Sequence, residues 1–356
     1  MPAMIFHAAY RLNPASVSAS AIRPIQMKAA FAEAGFDVFD ITGTAAERAA
    51  KFAKLKDAVS AGQTFDFMYS ESSTIPPMIG DPNHFPHPLI DARIFAWLVQ
   101  KTIPCSVFYR DIYWRFADYV ARVGKPLASA MRQMYKAELF LYRRYMTKIY
   151  VPSLEMAAKV PQLDGAPVAA LPPGGINTDA VAPPSPLHLL YVGGIGAHYQ
   201  LDELVAALKI SPQAQLTICT SRERWEAAAG QYGIDDCPNI QVVHRSGREL
   251  IELYRQANVA AIMVDPSHYW QFAVPVKLFE YVNYGKPILV SRSTLAAEIV
   301  EKNGWGWAID NDRGVIARAL AELPAGDIEQ TTARVEAARS AHTWVARAKQ
   351  VARDLS

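Results

Sequence analysis

Residues 273–291 read AVPVKLFEYVNYGKPILVS, and their pattern sets the reading of the whole chain. Pro275 suits the first turn of a helix, where its missing N–H would have no intrahelical partner anyway. Apolar residues at 276, 278, 279 and 282 then recur at helical spacing, and Gly285 ends the helix ahead of Pro287. Residues 287–290, PILV, follow as a short and wholly apolar strand, the kind found in a sheet covered on both faces. A helix that turns on glycine into such a strand is one half of a β/α repeat.

The same alternation extends in both directions. Upstream, strands are expected at 188–192, 215–220, 240–243 and 259–264, with helices at 201–208, 223–231 and 249–256; downstream come helix 296–302, strand 307–309 and three further helical segments. The first half repeats the plan with strands at 4–8, 38–41, 65–69, 105–109 and 149–151, helices at 22–34, 45–61 and 89–101, and an amphipathic stretch at 127–147. Between the two series lies the densest Pro/Gly stretch: Pro172, Pro173, Gly174, Gly175, Pro183, Pro184 and Pro186. The expected organisation is a first domain at 1–172, a linker at 173–186, a second domain at 187–340 and a C-terminal helix at 341–356 packing back on the first domain. The expected fold class is α/β, with two Rossmann-like doubly wound domains facing across a cleft and ligands at the carboxyl ends of both sheets.

Composition narrows the function. With 51% hydrophobic residues over 356 positions, the chain is no disordered tail, and its length suits two domains. A net charge of +2 excludes wholesale nucleic-acid binding. Charge is concentrated, however: between 110 and 150 nine basic residues stand against three acidic. Cys105, Cys219 and Cys237 are too widely spaced for a zinc site or a disulfide framework, and no run of 18 apolar residues occurs, so a soluble protein of a reducing compartment is expected.

Two places carry chemistry. After the strand at 188–192 comes Gly193-Gly194-Ile195-Gly196, then His198 and Tyr199 before a helix; such a turn lets backbone N–H groups approach an anion, or is simply a tight connection. In the opening stretch, Lys277 and Glu280 share a helical face near its positive end. They suit a diphosphate and a ribose respectively, or else form an ordinary surface ion pair.

At this point the sequence resembles a family. Pro275 to Tyr281 with Gly285-Lys286-Pro287 looks like the donor-site helix and following strand of GT-B glycosyltransferases, especially the family-four-like enzymes of bacterial capsule and exopolysaccharide synthesis. Tyr191 to Gly194, Val151-Pro152-Ser153 with Leu171 to Gly175, and His342-Thr343-Trp344 agree in order along the chain. The resemblance implies a second domain that binds a nucleotide-diphosphate sugar and a first that binds the acceptor. Carried over by position, Lys277 would meet the pyrophosphate, Glu280 the ribose, and the turn of Gly193, Gly194 and Gly196 with His198 and Tyr199 the diphosphate, while Arg245 would frame the base. Two departures stand out: Phe272 occupies the place of a second Glu, and the Arg/Lys pair usual around the glycine turn is missing.

The first domain resembles a narrower group of capsule-type transferases through Arg23-Pro24, Tyr69 to Thr74 and Phe108 to Trp114. Asp111 is the first choice for deprotonating an acceptor hydroxyl, with Arg110 beside it expected to hold its pKa low, and Glu71 is its rival. His7, His84, His87 and His268 read as surface residues, with His198 the best placed of the loop histidines to touch substrate, and Asp310-Asn311-Asp312 reads as a helix N-cap rather than a metal signature. In 125–148, cations are interleaved with Met131, Met134, Tyr135, Phe140, Leu141, Tyr142 and Tyr145, as in a helix that lies on an anionic membrane.

The expected activity is metal-independent, cofactor-free transfer of a hexose from a nucleotide-diphosphate donor, a UDP-sugar by preference, to a lipid-linked surface polysaccharide. The expected location is the cytoplasm, with peripheral contact at the inner face of the plasma membrane. A non-catalytic scaffold subunit and a nucleotide-sugar epimerase remain the alternatives.

Overall fold

The computed structural model describes every residue except 15–18, 184, 197, 198, 200, 266 and 267. The chain divides into two units, 1–173 with 344–356, and 174–343.

The first unit runs β1 (Ala3–Ala8), α1 (Ala19–Glu33), β2 (Asp37–Thr42), α2 (Ala45–Ser60), β3 (Phe67–Glu71), α3 (Ile90–Gln100), β4 (Cys105–Phe108), α4 (Ala117–Val123), α5 (Lys125–Tyr145), β5 (Lys148–Val151), α6 (Leu154–Ala158) and β6 (Val168–Ala170). Its six strands lie parallel in the order β2-β1-β3-β4-β5-β6. All six residues of β1 are buried, as a central parallel strand with helices on both faces requires. Local chemistry sets the helix starts. Thr44 opens α2 with a capping box, its hydroxyl accepting from the Glu47 N–H while the Glu47 carboxylate accepts from the Thr44 N–H.

The second unit runs β7 (His188–Val192), α7 (Asp202–Lys209), β8 (Gln215–Cys219), α8 (Arg222–Tyr232), β9 (Ile240–Val243), α9 (Leu250–Gln256), β10 (Val259–Ile262), α10 (Val276–Asn283), β11 (Ile288–Ser291), α11 (Leu295–Asn303), β12 (Gly306–Ile309), α12 (Arg313–Glu322) and α13 (Ala325–Ala338). Its strands are also parallel, in the order β12-β11-β10-β7-β8-β9. Side chains of β7 alternate between two cores: Leu190 and Val192 pack with Leu278 and Phe279 of α10, while Leu189 and Tyr191 pack with Leu204 and Leu208 of α7. Burying each such side chain is worth roughly 1.5–3 kcal/mol. The chain leaves β7 towards β8 and β9, then returns to β10 on the other side, so the switch point of the sheet lies between β7 and β10.

The last helix, α14 (Trp344–Leu355), belongs to the first unit, where Trp344 and Val351 join Met4, Phe31 and Tyr69 in one core. Of the stretch 173–186, expected as a linker, Pro173 belongs to the first unit, and Gly175, Thr178 and Ala180 are bonded within the second. Gly175 N–H donates to the His342 carbonyl, the buried Lys286 ammonium donates to the Ala180 carbonyl, and Arg339 donates to the carbonyls of Thr178 and Asn283. Gly175 is required there because a Cβ would meet the Asn283 amide at 2.6 Å.

Candidate active site

In the second unit the site is built at the carboxyl ends of β7, β8 and β9 and the start of α10. The Tyr281 hydroxyl ties α10 to the end of β7, accepting from the Val192 N–H at 3.0 Å. One turn earlier, Lys277 Nζ donates to Glu280 Oε2 at 2.8 Å, and both side chains remain partly exposed. Tyr254 donates to the other Glu280 oxygen at 3.4 Å and stacks on Tyr284 with ring centroids 3.7 Å apart. These two tyrosines form a flat wall beside the carboxylate that the sequence reading did not include. The Lys277 charge also reaches Cys219 at the end of β8; burial raises that thiol's pKa, and the Lys277 and Arg245 charges partly offset the rise.

The glycine turn has defined geometry. Gly193 N–H donates to the Cys219 carbonyl at 3.0 Å, and the Tyr191 hydroxyl donates to the Gly194 carbonyl. Gly196 adopts φ +119°, open to glycine alone at little cost, and exchanges two backbone hydrogen bonds with Tyr199. Tyr199 in turn packs edge-on against Trp270, 5.3 Å between centroids. His198 lies outside the described residues. Arg245 is exposed just beyond β9, and its carbonyl accepts from the Cys219 thiol at 3.3 Å.

A cation does lie against the glycine turn, from an element that spacing could not single out. Arg224, in the first turn of α8, lays its guanidinium against Gly194, with Cζ 3.3 Å from where a Cβ would stand. Phe272, in place of a carboxylate, is buried beside Tyr269, their ring centroids 5.3 Å apart. Asp312 does cap a helix, accepting from Gly314 and Val315 N–H at the start of α12, while Asp310 pairs with Arg292. Among the described residues no three His, Cys, Asp or Glu side chains converge as a metal site would need.

In the first unit the carboxyl ends of β3 and β4 hold the titratable groups. Glu71 is the last residue of β3 rather than part of the following loop, and it is 1% exposed. Its Oε1 accepts from Arg23 Nε at 3.1 Å and from the Tyr69 hydroxyl at 2.6 Å, while Arg23 lies flat on the Phe108 ring at 3.3 Å. Asp111 behaves differently from its expectation. Arg110 turns towards the Tyr10 hydroxyl, 3.1 Å away, and Glu71, 3.9 Å away. Burial therefore dominates at Asp111 and pushes its pKa up to about 6, against the smaller opposing pulls of the Tyr113 N–H, Arg110 and Thr74. On the buried face of α5, burial likewise raises Glu138 to about 8, and the Tyr142 hydroxyl donates to it at 2.7 Å.

His7 is not the surface residue its context suggested. It is buried in β1, with Nδ1 2.8 Å from the Ser70 hydroxyl and Nε2 3.0 Å from Asp91, which also receives two hydrogen bonds from the fully buried Arg48. Ser, His and Asp in a row invite a catalytic reading, but burial and the Arg48 clamp make this a strut joining β1, β3, α2 and α3. On α5, Met131, Tyr135 and Tyr142 form the buried face, so of the aromatic and aliphatic residues expected on a membrane face Phe140, 72% exposed, is the open one. Arg132 and Arg143 are committed to backbone carbonyls of Trp114, Gln162 and Asp164. No helix among the described residues is long and apolar enough to cross a membrane.

Residues 179–340 match the family profile described as glycosyl transferases group 1. No curated protein matches the sequence. Several solved structures are similar over nearly the whole chain. Sucrose-phosphate synthase from Thermosynechococcus elongatus shares 17% identity at a TM-score of 0.64, covering 99% of this chain and 98% of its own. WaaG, a glycosyltransferase involved in lipopolysaccharide biosynthesis, shares 13% at 0.58, with 99% of each chain covered. Anabaena HepE, solved in complex with UDP and glucose, shares 12% at 0.61, again with 99% of each covered. Residues 179–340 therefore resemble a group 1 glycosyltransferase domain, and the chain has the GT-B fold of these structures.

Proposed function

We propose that this glycosyltransferase moves one hexose from a nucleoside-diphosphate donor, a UDP-sugar by preference, to a lipid-linked bacterial surface polysaccharide of capsule type. The observation that carries the reading is the Lys277–Glu280 pair, set on α10 beside the β7/β10 switch point of a group 1 domain. HepE, seen with UDP and glucose, supports the uridine preference, and WaaG, which serves lipopolysaccharide synthesis, supports a glycolipid acceptor.

On this reading Lys277 leaves Glu280 for the donor's diphosphate, and Glu280 accepts hydrogen bonds from the ribose hydroxyls against the Tyr254–Tyr284 wall. The acceptor oxygen attacks the anomeric carbon, and the bond to the diphosphate breaks with its electron pair on the leaving group. Lys277 and the N–H groups of Gly194 and Ile195 in the glycine turn stabilise the charge that develops there, without a metal. Asp111, ionised at neutral pH and better placed than the buried Glu71, takes the acceptor's proton if transfer inverts; a retaining reaction would pass it to the departing phosphate. The open face of α5, with Phe140 near Lys136 and Arg144, rests on the anionic inner face of the membrane.

The test is incubation with labelled UDP-sugars and undecaprenyl-linked acceptors, following nucleoside diphosphate and glycolipid together. Lys277→Ala should lower turnover on the order of 10²-fold. Turnover equal to wild type in that variant sinks the role of Lys277. A sugar isomer without glycolipid would identify an epimerase, and no release from any donor a scaffold subunit.

A further inference from the structure

We propose that Arg224 and the Thr220 hydroxyl form a phosphate subsite over Gly194, supplying from α8 and the end of β8 the cation that the glycine turn lacks in its own sequence. The subsite rests on the donor reading above and deepens it by naming further residues that hold the diphosphate.

Three independent observations meet here. The first is contact: the Arg224 guanidinium occupies the space a Cβ at 194 would fill, so glycine at this position is what lets the cation reach the turn. The second is availability. Among the described residues the Arg224 side chain has no hydrogen bond or ion pair, although Glu223 and Glu226 are its near neighbours in sequence. An arginine folded onto a backbone turn without a carboxylate partner retains five N–H donors for an anion.

The third is an orphan. Val192 pairs with Cys219 in the β7/β8 register, which sets Thr220 opposite Gly193 one residue further along. Thr220 is 5% exposed, and its Oγ1 is buried with no hydrogen-bond partner among the described residues. Its backbone is fully used, since the Thr220 N–H donates to the Val243 carbonyl and its own carbonyl meets His244 Nδ1 at 2.9 Å. A hydroxyl buried beside a glycine turn and left unsatisfied is costly unless an acceptor arrives, and a phosphate oxygen is such an acceptor. The Tyr191 hydroxyl donates to the Gly194 carbonyl, so that acceptor is already engaged.

Calorimetric titration of UDP, GDP, ADP and dTDP, with the matching nucleosides as controls, tests this on wild type, Arg224→Ala, Thr220→Val, Gly194→Ala and Lys277→Ala. For the diphosphate that wild type binds, Arg224→Ala should weaken binding about tenfold to a hundredfold and Thr220→Val about fivefold. Gly194→Ala should match Arg224→Ala and add little to it in the double variant, because both remove the same contact. Affinity for the nucleoside should not change in any of them. Diphosphate affinity within twofold of wild type for Arg224→Ala, with binding lost in Lys277→Ala, overturns the subsite and leaves the donor reading standing. An equal loss of nucleoside affinity also overturns it, since Arg224 would then be shaping the turn. If wild type binds none of the four diphosphates, subsite and donor reading fail together.

Discussion

Replacing Asp91 by alanine tests the polar strut that aligns the first sheet. The carboxylate accepts from Arg48 at 2.8 and 3.0 Å and meets His7 Nε2 at 3.0 Å. Arg48 is fully buried, and without Asp91 its guanidinium keeps, among the described residues, only the Gly43 carbonyl. Removing one partner of a buried ion pair costs about 3–5 kcal/mol, a large part of the roughly 5–15 kcal/mol that holds a domain folded. At about 2–4 °C per kcal/mol for a unit of this size, the melting temperature should fall by about 6–20 °C. The double variant Arg48→Met/Asp91→Leu should recover most of that loss, since no charge is then left buried. Acid supplies a second readout. Burial alone would raise the Asp91 pKa, but the hydrogen bond and charge of His7, with those of Arg48, outweigh it and hold the carboxyl below its ordinary value. The folded state therefore binds fewer protons than the unfolded one. Its stabilisation is complete above the unfolded pKa of about 3.9 and is lost as pH falls through the folded value. Thermal and urea unfolding between neutral and acid pH measure both effects. A loss under about 1 kcal/mol, or a double variant as weak as the single, would refute the strut.

If Asp111 is the base, kcat/KM should fall about tenfold per pH unit below its pKa of about 6, and that acid limb should vanish in Asp111→Asn; a flat profile from pH 5 to 7 in wild type would exclude it. Burial lowers the Lys286 pKa to about 8. The folded state then sheds this proton before the unfolded state does, so its burial penalty is complete below about pH 8 and fades as pH rises towards about 10. Wild type should gain stability relative to Lys286→Met over that interval in paired melting curves, and parallel curves would contradict the assignment. Phe140→Ser should lower binding to anionic vesicles about tenfold, as loss of a buried aromatic side chain implies, without affecting donor binding; unchanged co-sedimentation would place the membrane contact elsewhere.

Much of the β/α order was legible because buried parallel strands read as unbroken apolar runs. β7 and α10 have the bounds read from their sequence, the latter because Pro275 and Gly285 punctuate both of its ends. β6 was missed: at three half-exposed residues it has neither the length nor the burial to show a period. β3 runs two residues further than its apolar run, through Ser70 and Glu71, because His7 on β1 partners Ser70 and Arg23 on α1 pairs with Glu71. Asp111 shows the limit of reading neighbours as partners. Arg110 adjoins it in sequence, but that guanidinium faces Tyr10 and Glu71, leaving Asp111 to desolvation. Arg224 was illegible for a related reason. Its contact with Gly194 is made by the fold, across a strand and a turn, and no local spacing encodes it.

The central claim is a donor pocket that recognises a nucleoside diphosphate through Lys277. A thermal-shift series with UDP, GDP, ADP, CMP and dTDP, on wild type and Lys277→Ala, measures it most directly. Ligand at one hundred times Kd stabilises by about 2.7 kcal/mol, or roughly 5–11 °C for a domain of this size. The account predicts that shift with one diphosphate, UDP by preference, and its loss in the variant. No shift with any of the five, or the same shift in Lys277→Ala, would contradict it.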